Sequence, residues 1–176
     1  MTRLMPNRSV PDLRIDTLAG RTWSLSDQLP QHFTMIIYYR GLHCPLCAVQ
    51  LKEIHTSISE FETLGVGVIA ISSDDEDRAR QAKTAWGLDT FEIGFGLSLK
   101  DASDWGLYLS SPRGEEPANF SEPGLFLVRP DRTLYASIVQ TMPFTRPSTK
   151  DLLRTLEFVI MKDYPGRGEL ALQDLD

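Results

Sequence analysis

Residues 33–39, Phe-Thr-Met-Ile-Ile-Tyr-Tyr, run apolar, β-branched or aromatic without a break and lead straight into Arg-Gly-Leu-His-Cys-Pro-Leu-Cys at 40–47. A run of that kind reads as a strand buried on both faces. Past Cys47 the apolar residues fall at Leu51, Ile54, Ile58 and Phe61, a spacing of three and four that marks one face of a helix. A buried strand that passes directly into a helix narrows the chain to an α/β architecture. Pro45 suits the first helical position, where its missing N–H costs nothing. Cys44 then falls at the N-cap, facing unpaired N–H groups and the positive end of the helix dipole, and both favour a thiolate over a thiol. Cys47 lies one turn on, along the same face, within reach of Cys44 for disulfide exchange.

Cys44 and Cys47 are the only cysteines in the 176 residues. Two small core residues are the plain alternative. Zinc is another, but a structural site needs four ligands and a catalytic one three. Along one helix His55 would stand roughly 16 Å from Cys44. His43 could join the cysteines, and a fourth ligand is hard to find. The spacing, the proline and the strand-to-helix junction favour redox chemistry, with no metal and no cofactor.

The bulk numbers set outer bounds. The length fits one domain, residues 1–176, with a core from about 10 to 162 and a surface tail at 163–176. A net charge of −6 argues against nucleic acid or an anionic membrane as the main partner. No apolar run approaches the roughly 18 residues of a membrane span. The first 16 residues carry Arg3, Arg8 and Arg14 without an apolar stretch, so no signal peptide is expected. A cytoplasmic location follows as the expectation, and there a Cys-x-x-Cys is more often catalytic or redox-sensing than structural.

In chain order, residues 1–9 read as a loose lead-in. Residues 10–16 and 22–25 read as two strands of a hairpin around a turn at 18–21. The strand at 33–39 and a single helix over 44–64, closed by Gly65, come next. Residues 66–72 form a second near-continuous apolar strand. Ser73-Asp74-Asp75-Glu76 supplies caps for a helix ending at Trp86 and Gly87, which leaves Asp74 and Asp75 no catalytic part. A short strand at 91–95, a helix over 98–105 and a loop over 107–122 follow. Then come a hairpin (125–128 with 133–140) and a last helix capped by Ser148, with Leu152, Leu153, Leu156, Val159 and Ile160 inward. Trp23, Trp86 and Trp105 read as core or interface residues. The sum is an α/β fold with a central mixed sheet flanked by helices and an N-terminal β-hairpin.

The lead hairpin, the Cys44-Pro45 helix start, the βα units and Glu122-Pro123-Gly124-Leu125-Phe126-Leu127-Val128 together resemble the thioredoxin fold in its peroxiredoxin form. This is the alkyl hydroperoxide reductase/thiol-specific antioxidant family, and the likeness covers roughly 10–162. It implies that Cys44 attacks a hydroperoxide and becomes a sulfenic acid, which Cys47 resolves as an intramolecular disulfide. It also implies a thiol reductant, either a thioredoxin-like protein or a small thiol, and is compatible with a homodimer. The chain departs from the pattern in three places. Gly41 stands where the family carries Thr or Ser, and Ile37 where it carries Pro. Pro123 stands where it carries an active-site Arg. Thioredoxins instead place a cis proline there, so a cis Glu122–Pro123 bond packed near Cys44 is expected. Arg40, four residues before Cys44, is the first candidate for the cation that holds the peroxide. Arg146, between Pro143 and Pro147, is the second, and Arg113 a distant third. His43 could assist deprotonation, and Tyr39 could be core or donor.

Two other functions stay open at this level. One is a thioredoxin-like dithiol–disulfide oxidoreductase acting on protein disulfides, favoured by Pro123 and the Cys-x-x-Cys. The other is a non-enzymatic redox sensor whose disulfide alters a partner.

Overall fold

The computed structural model describes residues 3–114 and 116–171. Strands β1 (Arg14–Thr17) and β2 (Thr22–Ser24) form the lead hairpin, followed by one 3-10 turn at Leu25–Asp27. Strand β3 (Phe33–Tyr38) leads to helices α1 (Pro45–Thr56) and α2 (Ile58–Thr63). Strand β4 (Val66–Ile71), helix α3 (Glu76–Trp86), strand β5 (Ile93–Phe95) and helix α4 (Leu99–Asp104) come next. Strands β6 (Leu109–Ser110), β7 (Phe120–Ser121), β8 (Gly124–Val128) and β9 (Leu134–Val139) precede helix α5 (Thr149–Met161).

Seven of these strands make one mixed sheet in the order β2-β1-β5-β4-β3-β8-β9. β3 is central. It runs parallel to β4, from Phe33↔Val66 to Tyr38↔Ile71, and antiparallel to β8, from Thr34↔Val128 to Tyr38↔Gly124. Alternate residues of β3 therefore feed opposite cores. Met35, Ile37 and the following Tyr39 pack with Leu51 and Ile54 of α1, Ala79 and Ala82 of α3, and Leu152 and Leu156 of α5. Ile36 and Tyr38 pack on the other face with Trp23, Ala102 and Trp105. Both faces are covered, so all six β3 residues are buried. Each such aliphatic side chain contributes about 1.5–3 kcal/mol.

The fold class stands as expected, and several local expectations change. The helix over 44–64 is two helices, because Ser57 leaves helical geometry at ψ 14° and turns its N–H to the carbonyls of Glu53 and Ile54. The segment 107–122 is no plain loop, since β6 and β7 pair within it. Ser9, in the supposed loose lead-in, forms a bridge with Thr133. Asp75 is the cap of α3, while Asp74 is buried and bonded elsewhere. No described peptide bond is cis, so Glu122–Pro123 is trans. Of the expected tail at 163–176, residues 172–176 lie outside the described part.

Candidate active site

The site forms where β3 ends at the top of the sheet. Tyr39 continues the strand by donating its N–H to Ile71, after which the chain turns at Gly41 and the Cys44 N–H closes back on the Gly41 carbonyl. Cys44 is the N-cap of α1, with Pro45 in the first turn, and its Sγ accepts the Cys47 N–H at 3.3 Å. The strand–helix junction thus aims the thiol at the open helix start, as the sequence implied. Both cysteines are free and buried, and Cys47 shares a face of α1 with Gln50, Leu51 and Ile54.

Arg146 reaches this pair from the loop between β9 and α5. Its Nη2 lies 4.0 Å from the Cys44 Sγ and 3.6 Å from the Cys47 Sγ. Its Nη1 donates to the carbonyls of Pro143 (2.8 Å) and Thr145 (2.6 Å), and the Gln140 amide also donates to the Thr145 carbonyl. The guanidinium is therefore held by its own loop. A thiolate at 4 Å from such a charge gains about 4 kcal/mol in a medium of intermediate dielectric.

Arg40, the nearer cation in sequence, is occupied. Its Nη2 donates to Glu116 at 2.8 Å, its Nε lies 3.2 Å from Glu122, and its guanidinium stacks over Phe120. Glu122 is in turn held by the Ser110 hydroxyl at 2.6 Å. Two carboxylates neutralise this arginine and tie the site loop to the β6–β7 segment. Arg113 is exposed and takes part through its backbone, whose N–H donates to the Glu116 carboxylate and whose carbonyl accepts the Glu116 N–H. Neither ring nitrogen of His43 has a hydrogen-bond partner, and the ring packs on Phe120. Burial and Arg40 push its pKa down, which does not suit a group that must share a proton with Cys44. Tyr39 is a core residue, stacked edgewise on Trp86, and burial raises its phenol pKa. Pro123 is buried and lines a cavity of about 10 Å³ with Gln50, Arg146 and Pro147, so it lies beneath the arginine loop.

The electrostatics single out one sulfur. The Cys44 pKa is lowered from 9.0 to about 6, first by the Cys47 side-chain hydrogen bond, then by the Cys47 N–H, Arg146 and Arg40, against the cost of burial. Cys47 moves the other way, upward, because it donates to Cys44 and is buried beside that anion. A sulfur favoured as thiolate thus stands beside one favoured as thiol, as a nucleophile and its reserve partner would.

Asp74 is the residue that sequence reasoning missed. Its carboxylate accepts the Leu42 N–H at 2.7 Å and pairs with the Arg78 Nε at 2.9 Å, while its backbone carbonyl accepts the Gly96 N–H. Gly41 sits at φ +130°, and a Cβ there would stand 2.7 Å from the Asp74 Oδ2. The carboxylate fills the space that any side chain at position 41 would need. Only its place shortly after an apolar strand hinted that Asp74 could be more than a cap.

These features define a peroxiredoxin-type thiol site on a thioredoxin-like fold. Solved structures share the fold. Peroxiredoxin 6 of Arenicola marina superposes with a TM-score of 0.77 at 17% identity, covering 92% of this chain and 76% of that one. The peroxidoxin BcpB of Mycobacterium tuberculosis gives 0.70 at 14% identity, covering 92% and 99%. The reduced Prx3 of Vibrio vulnificus in complex with hydrogen peroxide gives 0.74 at 11%, covering 88% and 99%. In sequence, a candidate peroxiredoxin of M. tuberculosis is 26% identical over 107 residues, 61% of this chain and 67% of its own length. The chain matches the AhpC/TSA family over residues 6–137, and it belongs to that family. It is thus an enzyme of the thiol peroxidase class. The matched span includes Cys44, Cys47, Arg40 and Pro123, and ends before Arg146.

Proposed function

We propose that Cys44 is the peroxidatic nucleophile, that Cys47 resolves it, and that hydrogen peroxide or an organic hydroperoxide is the substrate. The observation that carries this reading is the Cys44 sulfur at the α1 N-cap with its pKa held near 6, beside Cys47 and Arg146. The Cys44 thiolate attacks the terminal peroxide oxygen, the O–O bond breaks, and the departing alkoxide or hydroxide takes a proton from water. Cys44 is left as a sulfenic acid. The Cys47 thiolate then attacks the Cys44 sulfur and displaces hydroxide, which is protonated to water. The sum is one hydroperoxide and two thiols converted to an alcohol or water, a second water and the Cys44–Cys47 disulfide.

Arg146 is the cation we assign to the peroxide, because Arg40 spends its charge on Glu116 and Glu122. A thiol reductant, a thioredoxin-like protein or a small thiol, would return the disulfide to the dithiol. Cys44 is only 2% exposed, which favours a small hydroperoxide over a bulky protein disulfide as its first target. Cytoplasmic location and a homodimer remain compatible with this reading. Among the described residues no helix is long and apolar enough to cross a membrane.

The test is single-turnover oxidation of the reduced protein. Cys44→Ser should abolish peroxide consumption. Cys47→Ser should consume one equivalent and accumulate a sulfenic acid that dimedone traps. If Cys47→Ser were inert at the first step and Cys44→Ser active, the roles would be reversed. A wild-type rate no faster than that of a free thiol would point to the dithiol–disulfide oxidoreductase instead.

A further inference from the structure

Arg146 is closer to the resolving sulfur than to the peroxidatic one. Nη2 is 3.6 Å from Cys47 and 4.0 Å from Cys44. An arginine that served only the attacking thiolate and the peroxide would have no need of the second contact. We propose that Arg146 acts twice, first beside the Cys44 thiolate during peroxide cleavage and then, once that sulfur is uncharged, as the cation that stabilises the thiolate forming on Cys47. This rests on the assignment of Cys44 as nucleophile and Cys47 as resolving thiol, and adds a catalytic role in the second step.

The physical reason lies in how charge moves between two sulfurs. In the reduced site the negative charge sits on Cys44, and Cys47 is held protonated by that anion and by burial. Oxidation turns Cys44 into a neutral sulfenic acid and removes the repulsion. Cys47 must then lose a proton before it can attack, since the thiolate is the nucleophile. The guanidinium is already in place, pinned to the carbonyls of Pro143 and Thr145, and need not move to face the second sulfur.

The other charged or titratable groups around Cys47 do not replace it. Tyr39, from the end of β3, is kept neutral by burial. The Arg40 guanidinium is paired with Glu116 and Glu122, and only its backbone N–H acts on Cys47. The Asp74 carboxylate is occupied by Leu42 and Arg78. His43 has no hydrogen bond to either sulfur and its pKa is lowered. An opposite charge within about 4–6 Å typically shifts a titrating group by 1–3 pH units.

The deciding experiment needs no peroxidase turnover. In Cys44→Ser the first sulfur is replaced by a neutral group, so Cys47 faces Arg146 as it would after oxidation. Its titration is followed by the pH dependence of alkylation by iodoacetamide and by ultraviolet thiolate absorbance. Adding Arg146→Gln should raise the Cys47 midpoint by about one pH unit or more, roughly a tenfold loss of thiolate. Arg146→Lys should return most of it, which a merely structural role would not do. In the protein with both cysteines, Arg146→Gln should also slow the peroxide-independent second phase at neutral pH by about tenfold. An unchanged Cys47 midpoint in the Arg146→Gln background overturns the proposal. So does a second phase that keeps its rate while only the peroxide-dependent phase slows. Failure of Cys47→Ser to form any sulfenic acid would instead sink the peroxidase reading, and the Cys47 titration would still decide the role of Arg146.

Discussion

The Cys44 thiol is the sulfur whose charged form the site favours, and its pH behaviour follows from where that charge is held. Its folded pKa of about 6 lies below the ordinary 9.0, so the reactive thiolate is lost as pH falls through about 6. The second-order rate with hydrogen peroxide should rise with pH around a midpoint near 6 and be level above about 7.5, as the Henderson–Hasselbalch form requires for a single thiolate. Stopped-flow tryptophan fluorescence across that range checks it, and a midpoint near 8.5 would mean an ordinary thiol. The identity of this residue was legible from Cys-Pro at a strand-to-helix junction, because an N-cap is a local property of a few consecutive residues. Its cationic neighbour was not legible in the same way. Arg40 stood nearest in sequence, yet Arg146, 102 positions away, is the one at the sulfur.

At the scale of elements, the loop from β3 to α1 is held by a contact that no local pattern encodes. Gly41 lies against the Asp74 carboxylate in the segment between β4 and α3, and that carboxylate also takes the Leu42 N–H. Restoring the family's residue with Gly41→Thr should therefore damage the site. The side chain meets the carboxylate at 2.7 Å, and φ +130° is a conformation that branched residues avoid. We expect a loss of about 2–4 kcal/mol of stability in urea unfolding, from overpacking and backbone strain together. The peroxide step should slow rather than gain. A faster, equally stable Gly41→Thr protein would show that the loop can rearrange around a hydroxyl. The elements themselves were mostly visible in advance: the apolar runs at 33–39 and 66–72, the Gly87 stop, and the inner face of α5. The break at Ser57 and the β6–β7 pair escaped because each depends on tertiary partners rather than on periodicity.

Across the whole molecule, the site loop is joined to the β6–β7 segment through Arg40, Glu116 and Glu122, residues up to 82 positions apart. Arg40→Ala would leave Glu122, whose side chain is 8% exposed, without its counter-charge. A loss of about 2–3 kcal/mol is expected, less than for a fully buried pair because Arg40 and Glu116 keep partial solvent access. The peroxide rate should change less than about threefold, well short of the effect at Arg146, since two carboxylates offset its charge and it ranks behind Arg146 in lowering the Cys44 pKa. Denaturant unfolding beside single-turnover kinetics separates the two, and a large rate loss at unchanged stability would restore Arg40 as the peroxide cation. By itself the sequence determined the α/β class, the Cys44 N-cap, the reach of Cys47 and the resemblance to peroxiredoxins. Each of these depends on residues close together along the chain or on periodic burial. Only the tertiary structure decided which arginine meets the sulfurs, why position 41 takes glycine, and that Pro123 is trans beneath the Arg146 loop. Those outcomes are set where separate strands and loops converge at one end of the sheet, and a charge or a carboxylate acts across space without regard to its place in the chain.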